Sequence, residues 1–152
     1  MLRRLTCLLL TLPLFWLGCG RSYPTEEELV EDEVVRFNEA FEVAVNERVV
    51  MEETGIQITF PFVSEDNRCA LGLNCARAGA AGVLLRVKEP NGEVTKVVLI
   101  IPGLVATPYT ANSSIFHAGY YFKLLQLDPY PVNGVNTDPE AYHARMIIET
   151  DF

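Results

Sequence analysis

The chain has 152 residues, with 20 acidic against 12 basic side chains and a formal net charge of −8. This balance argues against nucleic acid as a partner, because binding a phosphate backbone needs a basic footprint. The length suits one domain with its own core, not two.

The chain opens on a targeting signal. Arg3 and Arg4 form a positive n-region, and the apolar run Leu5 to Leu17 suits a signal-peptide core while being short for a membrane span. Gly18-Cys19 follows directly. A small residue before a cysteine at the end of such a run resembles a bacterial lipoprotein signal, with Trp16 standing where an aliphatic residue is usual. The resemblance implies cleavage after Gly18 and lipid on Cys19, and so attachment to a membrane of the bacterial cell envelope, periplasmic or surface-exposed. An ordinary secretory signal or an uncleaved anchor are the alternatives.

Losing residues 1–18 removes Arg3 and Arg4 and takes the formal charge from −8 to −10. The remainder is uneven. Residues 21–53 carry eleven acids and three bases, and residues 54–152 carry nine and seven. Residues 19–35 read as an acidic tether and residues 36–152 as a single domain. Within the tether, Thr25 and Glu28 have the spacing of a capping box. Leu29, Val30, Val34 and Phe37 make a thin helical stripe, so a short helix is the most structure expected there. An acidic tether is also repelled by an anionic membrane, which holds the domain off it.

Strand patterns then dominate. Phe41, Val43 and Val45 alternate with polar or small residues, Asn46-Glu47 marks a turn or bulge, and Arg48 to Met51 continues the pattern. In the next strand Ile56, Ile58, Phe60 and Phe62 are expected on one face. Pro61 has no N–H to donate, so the strand is at an edge there or bulged. Ala81 to Lys88 alternates, Asn91-Gly92 is a hairpin signal, and Val94 to Ile101 returns as a nearly continuous apolar run, as a central strand would. A short strand at Ser114 to His117, another at Tyr120 to Leu127 and a last one at Tyr142 to Glu149 complete the pattern. With no long helix, this predicts an all-β fold: an antiparallel β-sandwich of seven or eight strands. An immunoglobulin-like layout is one way to arrange it. A small β-barrel is the alternative.

Between two strands lies Glu65 to Gly79, which holds the only cysteines of the expected domain, Cys69 and Cys75. An even pair in an exported protein reads first as a disulfide, because the compartment is oxidising. Closing so short a loop stabilises by roughly 2 kcal/mol on the chain-entropy model. Within the loop Asp66 suits an Asx-type turn, and Arg68 has the reach to fork to Asp66 or to carbonyls across the loop. Gly72 supplies positive φ, and Gly79 allows close approach where the next strand starts.

Two segments resemble a family of small exported bacterial proteins, many of them lipoproteins. Members carry D-S-R-C-P, a few residues, then C-x-W-A-G, and later P-Y-P followed by P-E-x-Y before the final strand. Here the first reads Asp66-Asn67-Arg68-Cys69-Ala70 and Cys75-Ala76-Arg77-Ala78-Gly79; the second reads Pro129-Tyr130-Pro131 and Pro139-Glu140-Ala141-Tyr142. The similarity spans residues 40–149 and departs at Asn67, Ala70 and Arg77. Arg77 stands in place of the tryptophan, so a binding face built on that ring does not carry over to this chain from the resemblance. What the resemblance implies is architecture and location, not chemistry.

Three chemistries compete with a purely structural role for the loop. Cys69 and Cys75 with His117 or His143 offer sulfur and nitrogen ligands for zinc or copper, and a metal-binding envelope lipoprotein is the alternative function. Their spacing is not a common zinc spacing. Ser64, Ser113 and Ser114 lack a nucleophile-elbow motif, and Glu65 and Asp66, as strand neighbours, point to opposite faces. No cofactor and no enzymatic activity are therefore expected. The expected role is a lipid-anchored, non-catalytic interaction or accessory module with a protein partner. Tyr109, Tyr120, Tyr121 and Tyr130 are candidates for a contact surface.

Overall fold

A computed structural model describes residues 32–104 and 113–150. The signal, Cys19, the tether up to residue 31 and Tyr109 lie outside the described residues.

The described chain is all-β. Its strands are β1 (Glu33–Val35), β2 (Ala40–Ala44), β3 (Arg48–Met51), β4 (Gln57–Asp66), β5 (Ala80–Lys88), β6 (Val94–Pro102), β7 (Ser113–His117), β8 (Tyr120–Asp128) and β9 (His143–Thr150). A single 3-10 turn, Pro139–Ala141, precedes β9. The strands form two sheets, ordered β1-β3-β4-β5-β6 and β2-β9-β8-β7. They are separate layers, so the fold is a sandwich and not a closed barrel.

The layout differs from the immunoglobulin order, in which Greek-key connections alternate between sheets. Here β3 to β6 are consecutive antiparallel neighbours within one sheet. The chain changes sheet between β1 and β2, between β2 and β3, and between β6 and β7.

Period-two alternation builds the core. Ala81, Val83, Leu85 and Val87 point inward from β5, Val97 and Leu99 from β6, and Ala144, Met146 and Ile148 from β9. Phe60 and Phe122, the largest fully buried side chains, come from opposite sheets.

Three expectations are corrected. Phe62 does not share a face with Ile58 and Phe60. The β4–β5 register shifts between Thr59 and Phe62, across Pro61, so Phe62 pairs with Leu84 and is half exposed. A proline in a strand flanked on both sides cannot donate to the ladder, and the bulge accommodates it. Second, β6 stands at the end of its sheet order, not in the centre, with Val98 and Ile100 outward. Third, Val34 belongs to a strand. β1 runs parallel to β3, with Val34 opposite Val50, inside the segment read as a tether with a helical stripe.

A second shift, between Val63 and Glu65, sets the end of β4. Glu65 then pairs with Gly82, and Asp66 pairs with Ala81, which is fully buried. Asp66 is thereby turned toward the interior at one end of the sandwich.

Candidate functional site

Residues 66–79 and 129–142 meet at that end. Asp66 closes β4, and the chain turns back at once so that Arg68 lies beneath it. The backbone N–H of Arg68 donates to Asp66 Oδ1 at 3.1 Å, which makes the Asx-type turn. The guanidinium then forks onto the same carboxylate, with Nε to Oδ1 at 2.9 Å and Nη2 to Oδ2 at 2.6 Å. Its remaining donors reach β8 and the turn after it. Nη1 donates to the carbonyl of Leu127 at 2.7 Å, and Nη2 to that of Pro129 at 3.1 Å. The ring of Tyr130 lies 4.6 Å from the guanidinium carbon. Among the described residues Arg68 is the one charged residue that is buried as a whole, 5 % exposed, and the side chain of Asp66 is nearly as enclosed.

Tyr142, just before β9, completes the cluster. Its hydroxyl donates to Asp66 Oδ2 at 3.0 Å. Burial pushes the Asp66 carboxyl up, but the bonds from Arg68 outweigh it and hold the group below its ordinary value. The Tyr142 hydroxyl is pushed up, first by burial and then by its bond to the Asp66 carboxylate. Each acid thus keeps the form in which the network needs it.

The loop that follows is held at several points. Cys69 and Cys75 form a disulfide, with an S–S distance of 2.09 Å. Cys69 N–H donates to Ala78 at 2.7 Å, and Asn67 N–H to Ala80 at 2.8 Å. Gly79 has a φ of +69°, and a Cβ there would fall inside the carbonyl oxygen of Asn67. Gly72, at φ +89°, turns the tip of the loop. That tip is tied to the second segment, with Leu71 N–H donating to Pro131 at 2.8 Å and Asn133 N–H donating to Leu71 at 3.0 Å. Tyr130 contributes again: its hydroxyl accepts from Leu104 N–H at 2.9 Å, which fixes the end of β6.

Chemically, this arrangement is closed. The Asp66 carboxylate and the Arg68 guanidinium are engaged with each other and with backbone, and the cysteines are engaged with each other. Outward the loops present apolar side chains interspersed with exposed polar ones such as Asn74, Arg77, Asn133 and Asn136. Leu71, Leu73, Leu104, Val132 and Val135 are 43–68 % exposed. Leu73 and Leu104 line one shallow groove of about 240 Å³ beside the disulfide, along with Arg77. A second groove, about 360 Å³, runs between Leu104, Ile101, Leu125, Leu127 and Tyr130 over the Arg68 guanidinium.

The remaining candidates lie apart. His143 opens β9 at the disulfide-loop end, opposite Asp128, and is exposed. His117 ends β7 at the other end of the sandwich, 3.8 Å from Glu89. Ser64 Oγ donates to the carbonyl of Gly82, and Ser114 is exposed on β7. Among the described residues no three His, Cys, Asp or Glu side chains gather where a metal ion would be held. Tyr120 stacks on Phe37 and Tyr121 packs against Phe116, so neither joins the loop surface.

Sequence reading did not anticipate the role of Tyr142 as a partner of Asp66, or that of Tyr130 beneath Arg68. Both lie in residues 129–142, far along the chain from Asp66 and Arg68. No family model, curated protein or solved structure matches the chain.

Proposed function

We propose that this protein is a lipid-anchored module of the bacterial cell envelope that works by binding a protein partner, not by catalysis, through its disulfide-loop end. The observation that carries this reading is the exposed apolar surface of Leu71, Leu73, Leu104, Val132 and Val135, set on loops held by a disulfide, a buried ion pair and cross-loop hydrogen bonds. Contiguous exposed apolar side chains mark interaction sites more often than they are neutral. A surface ordered in advance binds without the entropy cost of ordering itself. The apolar signal run and Gly18-Cys19 support the anchor and the envelope location.

The test is site-directed photo-crosslinking in the native envelope. A crosslinker at Leu73 or Val135 should give a discrete adduct with one partner, and Leu71→Asp should abolish it. A crosslinker at Glu42, on the outer face of the other sheet, serves as the control. Adducts of equal yield at Glu42, or none at the loops, would sink the proposal.

A further inference from the structure

The outer face of the five-stranded sheet carries a second feature, separate from the loop surface. The register aligns Arg48, Thr59, Arg86 and Lys96 in one row across β3 to β6. Lys88 lies in the next row, between Gln57 and Val94. All four cations are exposed. Asp32 holds Arg48, taking its guanidinium with Nε to Oδ1 at 2.7 Å and Nη2 to Oδ2 at 2.8 Å. Among the described residues Arg86, Lys88 and Lys96 form no ion pair. The shallow groove of about 230 Å³ that Arg86 and Lys88 line has no carboxylate in its walls. A concentration of unpaired cations is out of keeping with a chain of net charge −8.

On the other side of the basic row runs an apolar one, Phe62, Leu84 and Val98. Phe62 and Val98 are half exposed. The two rows are two residues apart along β5, from Leu84 to Arg86, and along β6, from Lys96 to Val98. At about 3.4 Å per residue that is about 7 Å. The basic row crosses three strand intervals, about 14 Å at about 4.8 Å each. About four residues of extended peptide cover that length. Such a peptide, laid between the rows, turns successive side chains to opposite sides. Where acidic and apolar residues alternate in it, the carboxylates fall on the cations and the apolar side chains on Phe62, Leu84 and Val98. Other occupants match less of the face. An anionic bilayer would meet the whole molecule with its net charge of −8, and would also meet Glu65, exposed beyond the apolar row opposite Gly82. A second copy of the face would set cations against cations. A polyanion without apolar groups leaves the apolar row unused.

We propose that this face is a docking site for an extended acidic segment of another protein, one in which carboxylates alternate with apolar side chains. Arg86 and Lys96 take the carboxylates, and Lys88 behind them adds to the positive field. Phe62, Leu84 and Val98 take the apolar side chains. This inference does not rest on the lipid anchor or on the loop surface.

The probe is a fluorescein-labelled peptide of about six residues in which glutamate alternates with valine, long enough to span the row. It is titrated with the exported full chain at low ionic strength and followed by fluorescence anisotropy. The expected result is saturable binding. Arg86→Glu with Lys96→Glu, at exposed positions that leave the core intact, should weaken it at least about tenfold, because like charges then face each other. Arg86→Gln with Lys96→Gln should give a smaller loss in the same direction. Val98→Ser should weaken binding at least about threefold through lost apolar burial. So should 0.5 M salt, where the screening length shrinks to a few ångströms. Leu71→Asp, on the loop surface, should leave binding unchanged. The proposal is overturned by absence of saturable binding, or by binding that survives the double charge reversal. Equal binding of a peptide with serine in place of valine would remove the apolar row from the site and overturn it too. Retention on phosphatidylglycerol vesicles that the double reversal abolishes, with no peptide bound, would make the face a membrane surface instead.

Discussion

At Arg68 a guanidinium leaves water and meets a carboxylate, two backbone carbonyls and an aromatic ring. Removing one partner of such a buried pair leaves the other charge unsolvated, at a cost of about 3–5 kcal/mol. Arg68→Ala and Asp66→Asn should each lower the unfolding free energy in urea by about that much; a loss below about 1 kcal/mol would contradict the role given to the pair. Arg68→Lys should not rescue it, because one ammonium cannot match the planar fork that serves Asp66 and both carbonyls. The pair also sets an acid limit. A carboxyl held below its unfolded pKa of about 3.9 contributes stability that is complete above that pH and is lost as pH falls through the folded value. Stability measured against pH should therefore drop below about pH 4, and Asp66→Asn should flatten that drop. Tyr142 gives the opposite slope. Its raised pKa contributes stability below about pH 10 that is lost as pH rises further, and Tyr142→Phe should remove that dependence.

The disulfide loop and the strands beside it are elements of different rank. The bridge closes a loop of sequence separation 6, so its entropic contribution is about 2 kcal/mol. Cys69→Ser with Cys75→Ser should lower stability by about that amount and leave a single cooperative unfolding transition; loss of cooperativity would mean that the loop holds the sandwich together. Gly79→Ala should cost more than about 1 kcal/mol, because it combines a positive φ with a collision against the backbone of Asn67. These elements also mark what a sequence makes legible. The alternation of β5 and β9, the hairpin at Asn91-Gly92 and the glycines at positive φ are local signals, and they can be read. The outward turn of Phe62 is not local. It depends on a register shift against β5, and a shift of one residue exchanges the faces. In β6 the outward Val98 and Ile100 fill the pattern that a doubly covered strand would show, so the run reads as central. β1 has three residues within an acidic stretch, too few to establish a period. The bond between Asp66 and Tyr142 spans 76 residues, and no spacing rule reaches that far. In the candidate site, the disulfide partners and the fork from Arg68 to Asp66 can be read within one loop, whereas its floor, Leu127, Pro129 and Tyr130, comes from a distant strand end.

For the molecule as a whole, the two sheets leave one end closed by a polar cluster and covered by apolar loop tips. The outer face of the larger sheet, with its basic row, is a separate surface. The proposed binding role draws on this rigid scaffold and its one ordered contact end. The proposed anchor at Cys19 lies thirteen residues before Asp32. The measurement that tests this account most directly is the intact mass of the chain recovered from the envelope of an exporting bacterium, under non-reducing conditions. The account expects a chain beginning at Cys19, heavier by its lipid and lighter by the two hydrogens of the Cys69–Cys75 bridge. A chain that retains residues 1–18, or one with free thiols and a bound metal ion, would contradict it.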